Sequence, residues 1–144
     1  MNMVDKIRDL SNKDNSIAYQ ALLQLERWAA ETPEIVRYFD EFLTMIKSEK
    51  SFIRVRGFRL ICCLAKWDKA GLINKNIDTI LLALNDANGT SVRQCLISLS
   101  EIMLYKTELH EVIADKLKNL DLTQHKASMQ LLISSDISAL LARL

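Results

Sequence analysis

The chain is poor in the residues that make turns. Its 144 residues include one proline and three glycines, too few for the repeated tight reversals of a sandwich or a barrel. No stretch alternates apolar and polar residues long enough to form a convincing strand. There are only two histidines. Neither His110 nor His125 has a cysteine or a paired carboxylate beside it in sequence, so no acid–base or nucleophilic group is assembled locally. Gly57, Gly71 and Gly89 stand alone, which leaves no phosphate-cradling loop. No window approaches the roughly 18 uninterrupted apolar residues of a membrane span. The opening MNMVDKIRDL is charged and lacks the apolar core of a signal peptide. Cysteine is scarce and poorly spaced for a metal, with Cys62 and Cys63 adjacent and Cys95 alone. Adjacent residues on a helix point about 100° apart and chelate badly. The expectation is three reduced thiols filling gaps between helices in a cytoplasmic protein; a redox or metal role for the adjacent pair is the alternative. No catalytic residue, metal or cofactor is expected.

Helical periodicity dominates what remains. Hydrophobic residues make up 49% of the chain, ample for the core of one domain. In Ser51 to Ala65, SFIRVRGFRLICCLA, the residues Ile53, Gly57, Leu60, Ile61 and Leu64 form one broad stripe. Arg54 borders it, and Arg56, Arg59 and Lys66 point away. A similar stripe is expected at Ile17, Ala21, Leu22, Leu25 and Trp28, and again at Val92, Leu96, Leu99 and Met103. A fainter copy near Gln124 carries Met129 and Leu132. The anchors Ile17, Ile53 and Val92 are 36 and 39 residues apart, a spacing typical of helix pairs stacked side by side.

Shorter apolar helices fall between these copies. The first covers residues 3–10, with Val4, Ile7 and Leu10 inward. The next restarts at Thr32-Pro33-Glu34, where a capping hydroxyl, a first-turn proline and an acid coincide, and carries Ile35, Phe39, Phe42, Leu43 and Ile46. Others open at Asn74 or Asn76 (Ile77, Ile80, Leu81, Leu84) and at Thr107-Glu108 (Leu109, Val112, Ile113, Leu117). Ser51, Thr90 and Thr123 are expected to cap long helices, and Ser135-Asp136 to begin a separate last helix with Ile137, Leu140, Leu141 and Leu144.

Ile53-Arg54 and Val92-Arg93 open two of the long helices with an aliphatic residue followed by arginine, and Asp14 precedes Ile17 by three positions. This pattern, over nearly the whole chain, resembles HEAT repeats of the armadillo-like class. The resemblance implies an all-α fold, a right-handed α-α superhelix (an ARM/HEAT-like solenoid) of about four helical hairpins plus a terminal half repeat. Residues 1–144 then form a single domain with repeats at about 1–31, 32–70, 71–107 and 108–134 and a terminal helix at 135–144. Ala18 stands where the pattern has arginine, and Lys50 and Gly89 stand where it has an acid. These departures weigh against a ladder of Asp–Arg pairs between neighbours. The resemblance also implies that the second helix of each hairpin lines a concave surface.

Charge is uneven along the chain. Residues 47–75 carry eight basic and two acidic side chains, while residues 1–46 carry five and eight and residues 76–144 carry six and eight. A basic band thus lies between two mildly acidic ends. Together with the repeat, it suggests a non-enzymatic protein-binding scaffold or adaptor, holding an acidic protein or peptide segment on the concave face. Arg56, Arg59 and Lys66 would bind it, with Gln24, Arg27, Gln94 and Ser98 from neighbouring helices and Gln20 and Glu101 facing the same groove. Arginine suits the role because its planar fork meets carboxylates in pairs. The plain alternative is a solvated face. A second functional reading is a nucleic-acid binder resembling HEAT-like DNA-repair glycosylases, with Phe52, Trp67 and Tyr105 as the aromatic candidates. A third is a subunit of a larger complex docking through its apolar C-terminal edge, since a terminal repeat needs a polar outer face. Trp28 and Trp67 are expected to pack between hairpins.

Overall fold

A computed structural model describes residues 2–144, and among them all regular structure is helical, with no strand. Nine α-helices follow one another among the described residues: α1 (Met3–Asp9), α2 (Asn15–Glu31), α3 (Phe39–Ile46), α4 (Ser51–Cys63), α5 (Leu72–Lys75), α6 (Ile77–Leu81), α7 (Gly89–Tyr105), α8 (His110–Lys118) and α9 (Ala127–Leu141). Single 3-10 segments lead into α3 (Pro33–Tyr38) and α8 (Thr107–Leu109) and follow α4 (Ala65–Trp67) and α6 (Leu82–Asn85). No described helix is long and apolar enough to cross a membrane.

Side chains at the helix starts supply acceptors for backbone N–H groups that have no partner inside the helix. Asn2 accepts from Val4 N, Asp14 from Ser16 N, Thr32 from Glu34 N and Asn88 from Ser91 N. The cap of α7 is thus Asn88 and not Thr90. The cap position of α4 is Lys50, whose ammonium has no acceptor to offer a backbone N–H, and the Ser51 hydroxyl donates to Asp86 at 3.0 Å. Thr123 caps nothing: α9 starts four residues later, after Lys126. Nor does Ser135-Asp136 open a new helix. α9 runs unbroken through it, since no glycine or proline interrupts the turn, and the expected boundary at 135 falls inside one element. The helix expected to open at Asn74 or Asn76 opens after Asn76 as α6 and tightens into a 3-10 segment over Leu82–Asn85. The Asn76 side chain donates back to the Leu72 carbonyl, ending α5 before α6 begins.

The four long helices pack in series, α2 on α4, α4 on α7 and α7 on α9. Shorter helices back them: α1 lies on α2, α3 on α4 and α8 on α9, while α6 touches α3 and the segment after it meets α7. One connected core runs from Met3 to Leu140. The inward stripe of α2 is Ala18, Ala21, Leu22, Leu25 and Ala29. Ala21, Leu22 and Leu25 are the expected ones, while at the two ends Ala18 and Ala29 replace Ile17, which is 43% exposed, and Trp28. Elsewhere Val4 is exposed with Met3 buried before it, Leu132 is exposed with Ile133 buried after it, and of Val112 and Ile113 only Ile113 is buried. Where α3 crosses α4, a Cβ on Gly57 would lie 2.7 Å from the Phe42 carbonyl oxygen, so only glycine allows this approach.

Each neighbouring pair of long helices is also joined by an arginine–carboxylate pair. Arg59 of α4 meets Glu26 of α2 at 2.8 Å, Arg54 of α4 meets Asp86 ahead of α7 at 3.0 Å, and Arg93 of α7 meets Asp136 of α9 at 2.7 Å. An Asp–Arg link between neighbours therefore exists despite Lys50 and Gly89. Its acid is Asp86, three residues before Gly89, and it also holds Ser51 and Asn88 N.

Candidate partner groove

The outward faces of α2, α4 and α7 enclose a depression of about 590 Å³ lined by Tyr19, Glu26, Arg59, Gln94, Ile97 and Glu101, among others. A smaller one of about 250 Å³ lies between α7 and α9. Ile97 and Ser100 line both. Ile97 is thus a ridge between two hollows, and it is 71% exposed. The α7 helix produces this arrangement by burying Val92, Cys95, Leu96, Leu99 and Ile102, which turns Gln94, Ile97, Ser98 and Glu101 outward.

Of the residues expected to bind a partner, Arg59, Gln94 and Ser98 come together here. Arg56 does not. It is buried, donates to the Leu10 carbonyl at 3.0 Å and to Asn15 Oδ1 at 3.4 Å, and lies 5.1 Å from the Phe52 ring centre. The carbonyls at the end of α1 lack helical partners, and Arg56 turns inward to serve one. Burial pulls its pKa below the usual arginine value. Lys66 is spent on the C-terminal end of α2, 2.8 Å from the Ala30 carbonyl, while Trp67 Nε1 donates to the Ala29 carbonyl at 2.6 Å. Gln24 and Arg27 bond to each other along α2 and lie outside the depression.

Arg59 itself is engaged. It makes a bidentate pair with Glu26 at 3.1 and 2.8 Å and reaches Gln94 Oε1 at 3.2 Å, so it joins α2, α4 and α7. Its desolvation would lower the guanidinium pKa, but the hydrogen bond and charge of Glu26 outweigh this and hold it raised. With Glu26 neutralised by Arg59, the remaining lining charge is Glu101. It is exposed and has no hydrogen-bond or ion-pair partner among the described residues. The lining therefore carries a net charge of −1. The lysines of the basic band point elsewhere: Lys47, Lys50, Lys69 and Lys75 are exposed around the connections that flank α4 and at the end of α5.

Sequence reasoning missed three features of the groove. Tyr19 and Glu26 are missed because the groove lies along a different strip of α2 from that of Gln20, Gln24 and Arg27, and Ile97 because an isolated exposed aliphatic residue carries no motif. Its only signal was a large apolar side chain outside the inward register of its helix.

The thiols gather at the floor of the same face. Cys62 and Cys95 are buried and Cys63 is half-buried, 3.9 Å from Glu26 Oε2. Burial, reinforced by nearby carboxylates, pushes Cys63 up to about 12; burial and Asp86 push Cys95 up to about 12. Burial pushes Cys62 well above the ordinary thiol range. His110 Nε2 lies 2.6 Å from the Met103 carbonyl oxygen, and His125 is buried. Among the described residues no cluster of three or more histidine, cysteine, aspartate or glutamate side chains has the arrangement to hold a metal ion. No protein-family model, no curated protein and no solved structure matches this chain.

Proposed function

We propose that this chain is a non-enzymatic cytoplasmic scaffold, a short stack of HEAT-like hairpins that holds a segment of another protein across its second helices. The observation that carries the reading is the depression spanning α2, α4 and α7 with Ile97 raised at its edge. A hollow flanked by an exposed large aliphatic side chain offers a partner both a cavity to fill and apolar surface to cover. The serial packing of four long helices, each with a shorter helix or segment at its back, supports the hairpin stack. Thiols held protonated, a histidine bonded to a carbonyl and a second histidine buried away from the groove support a binding role over a catalytic one. An acidic segment, expected from the basic band, has little support, because Arg56 is internal and Arg59 already holds a carboxylate. A phosphate backbone would meet the same net negative surface.

Selection of a random dodecapeptide library on the immobilised protein tests the reading. Enrichment that disappears with Ile97→Asp, in a variant that keeps the wild-type melting temperature, is the expected result. A library that yields nothing above background would defeat it.

One observation favours a second reading. The outer face of α9 exposes Leu131, Leu132, Ser135, Ser138 and Ala142 without a charge, an edge through which the chain could join a larger complex. Changing Leu131 and Leu132 to lysine should then reduce the size of the native assembly on gel filtration.

A further inference from the structure

The scaffold reading leaves open which chemistry the groove selects, and the α7 face addresses that. Ile97, Glu101 and Leu104 stand at i, i+4 and i+7, so they share one face of the helix. Ile97 is 71% exposed and Leu104 64%, and Glu101 between them is the unpaired carboxylate of the groove. The two aliphatic residues are about 10 Å apart along the axis at 1.5 Å per residue. We propose that this face binds an amphipathic helical segment of a partner protein in which two apolar side chains, seven positions apart, bracket a lysine or arginine. The inference rests on the scaffold reading and specifies its ligand.

Charge complementarity decides the sign. A cation between the two apolar residues meets Glu101, the lining charge that nothing in the protein neutralises. An anion there would be repelled by Glu101. In the α2–α4–α7 hollow beside Glu101 the one lining cation is Arg59, which an anion would reach by displacing Glu26 and leaving it unpaired in a half-buried position. One apolar side chain of the partner fits a hollow beside Ile97 and the other covers Leu104, as a helix laid in a groove uses alternate turns as anchors. The face runs continuously from the α2–α4–α7 hollow to the α7–α9 hollow, because Ile97 and Ser100 belong to both.

The test uses two labelled helical peptides with identical leucine positions, one carrying lysine and the other glutamate between the leucines. Fluorescence anisotropy is read on the full chain and on its Glu101→Lys and Ile97→Ser variants. The lysine peptide should bind the wild type and weaken as salt rises. Glu101→Lys should weaken it by about tenfold and reverse the preference between the two peptides. Ile97→Ser should weaken both. Equal or tighter binding of the glutamate peptide to the wild type would overturn the inference; if Ile97→Ser removed that binding, the scaffold reading would survive. Failure of both peptides overturns the inference alone where the random library still enriches sequences lost with Ile97→Asp, and overturns the scaffold reading too where the library is empty. Self-association of the chain that Ile97→Ser abolishes would mean a second copy covers this face, which also overturns it.

Discussion

Lys106 places its ammonium 3.2 Å from Asp68 Oδ2 and 2.7 Å from the Asp68 carbonyl oxygen, inside the protein. The same carboxylate accepts hydrogen bonds from Leu72 N and Ile73 N at 2.8 and 2.9 Å. One aspartate therefore starts α5 and fastens the turn after α4 to the end of α7. Asp68→Ala would strip Lys106 of its counter-ion and leave two N–H groups without acceptors, at a cost of about 3–5 kcal/mol. Lys106→Met should cost less, because the carboxylate keeps both backbone donors. In a double-mutant cycle followed by urea unfolding, the pair of changes should cost less than the sum of the singles. Strict additivity would mean the two groups do not act together.

Arg56 and Arg59 look alike in sequence and should behave differently on substitution. Arg56→Met removes the donor to the buried Leu10 carbonyl, and an unsatisfied buried acceptor costs about 1–3 kcal/mol. Arg56→Glu should cost more, since it sets a carboxylate against that carbonyl. A change at Arg56 is therefore a test of folding, and loss of partner binding in such a variant reports instability. Arg59→Gln leaves Glu26, whose side chain is 21% exposed, within reach of water and should lower the urea midpoint less than Arg56→Met. The reverse order would show that Arg59, not Arg56, holds the fold.

Helix positions were legible because burial imposes a 3.6-residue period on the chain. Phe42, Leu60, Leu96 and Leu99 were read as inward and are buried. Arg56 was not legible, since a helix wheel shows the face of a residue but not what lies opposite it. Its partner is a backbone carbonyl 46 residues away, and backbone groups leave no trace in composition. Asp86 was missed for a related reason. It lies outside the register that the repeat pattern assigns to an acid, yet the chain brings it onto Arg54, Ser51 and Asn88 N at once. Of the groove, Arg59, Gln94 and Ser98 could be read from the faces of single helices. The groove's net charge could not, because it depends on Glu26 and Arg59 meeting across two helices.

The two helical glycines should answer differently to alanine. At Gly57 the added methyl would lie 2.7 Å from the Phe42 carbonyl oxygen and from Met45 Cβ. Both belong to the facing helix, so α3 and α4 must separate, at a cost of about 1–3 kcal/mol. At Gly89 the methyl would meet the Met129 side chain from Cγ outward, so Met129 must turn about its first side-chain bond, while the backbone stays in place and alanine favours the first turn of α7. Thermal unfolding should show a larger drop for Gly57→Ala, which meets backbone, than for Gly89→Ala, which meets only a side chain. A neutral Gly57→Ala would mean the α3–α4 contact is looser than described.

The protonated thiols tie stability to alkaline pH. In the unfolded chain a thiol loses its proton near 9.0, whereas folded Cys63 and Cys95 hold theirs up to about 12. Between those values the unfolded state binds fewer protons, so stability declines as pH rises; below pH 9 this contribution is fully present. Lysine and tyrosine titrate over the same interval, so the comparison must be made against a variant that keeps them. Cys63→Ala/Cys95→Ala should be less stable at pH 7 through lost packing, yet its urea midpoint should fall less steeply from pH 8.5 to 11. Thiol labelling at pH 8 provides an independent check. All three cysteines should react slowly in the native protein and rapidly in urea, because the thiolate is the reactive form. Parallel pH profiles for the two proteins, or rapid native labelling at Cys63, would show that burial does not hold these thiols protonated.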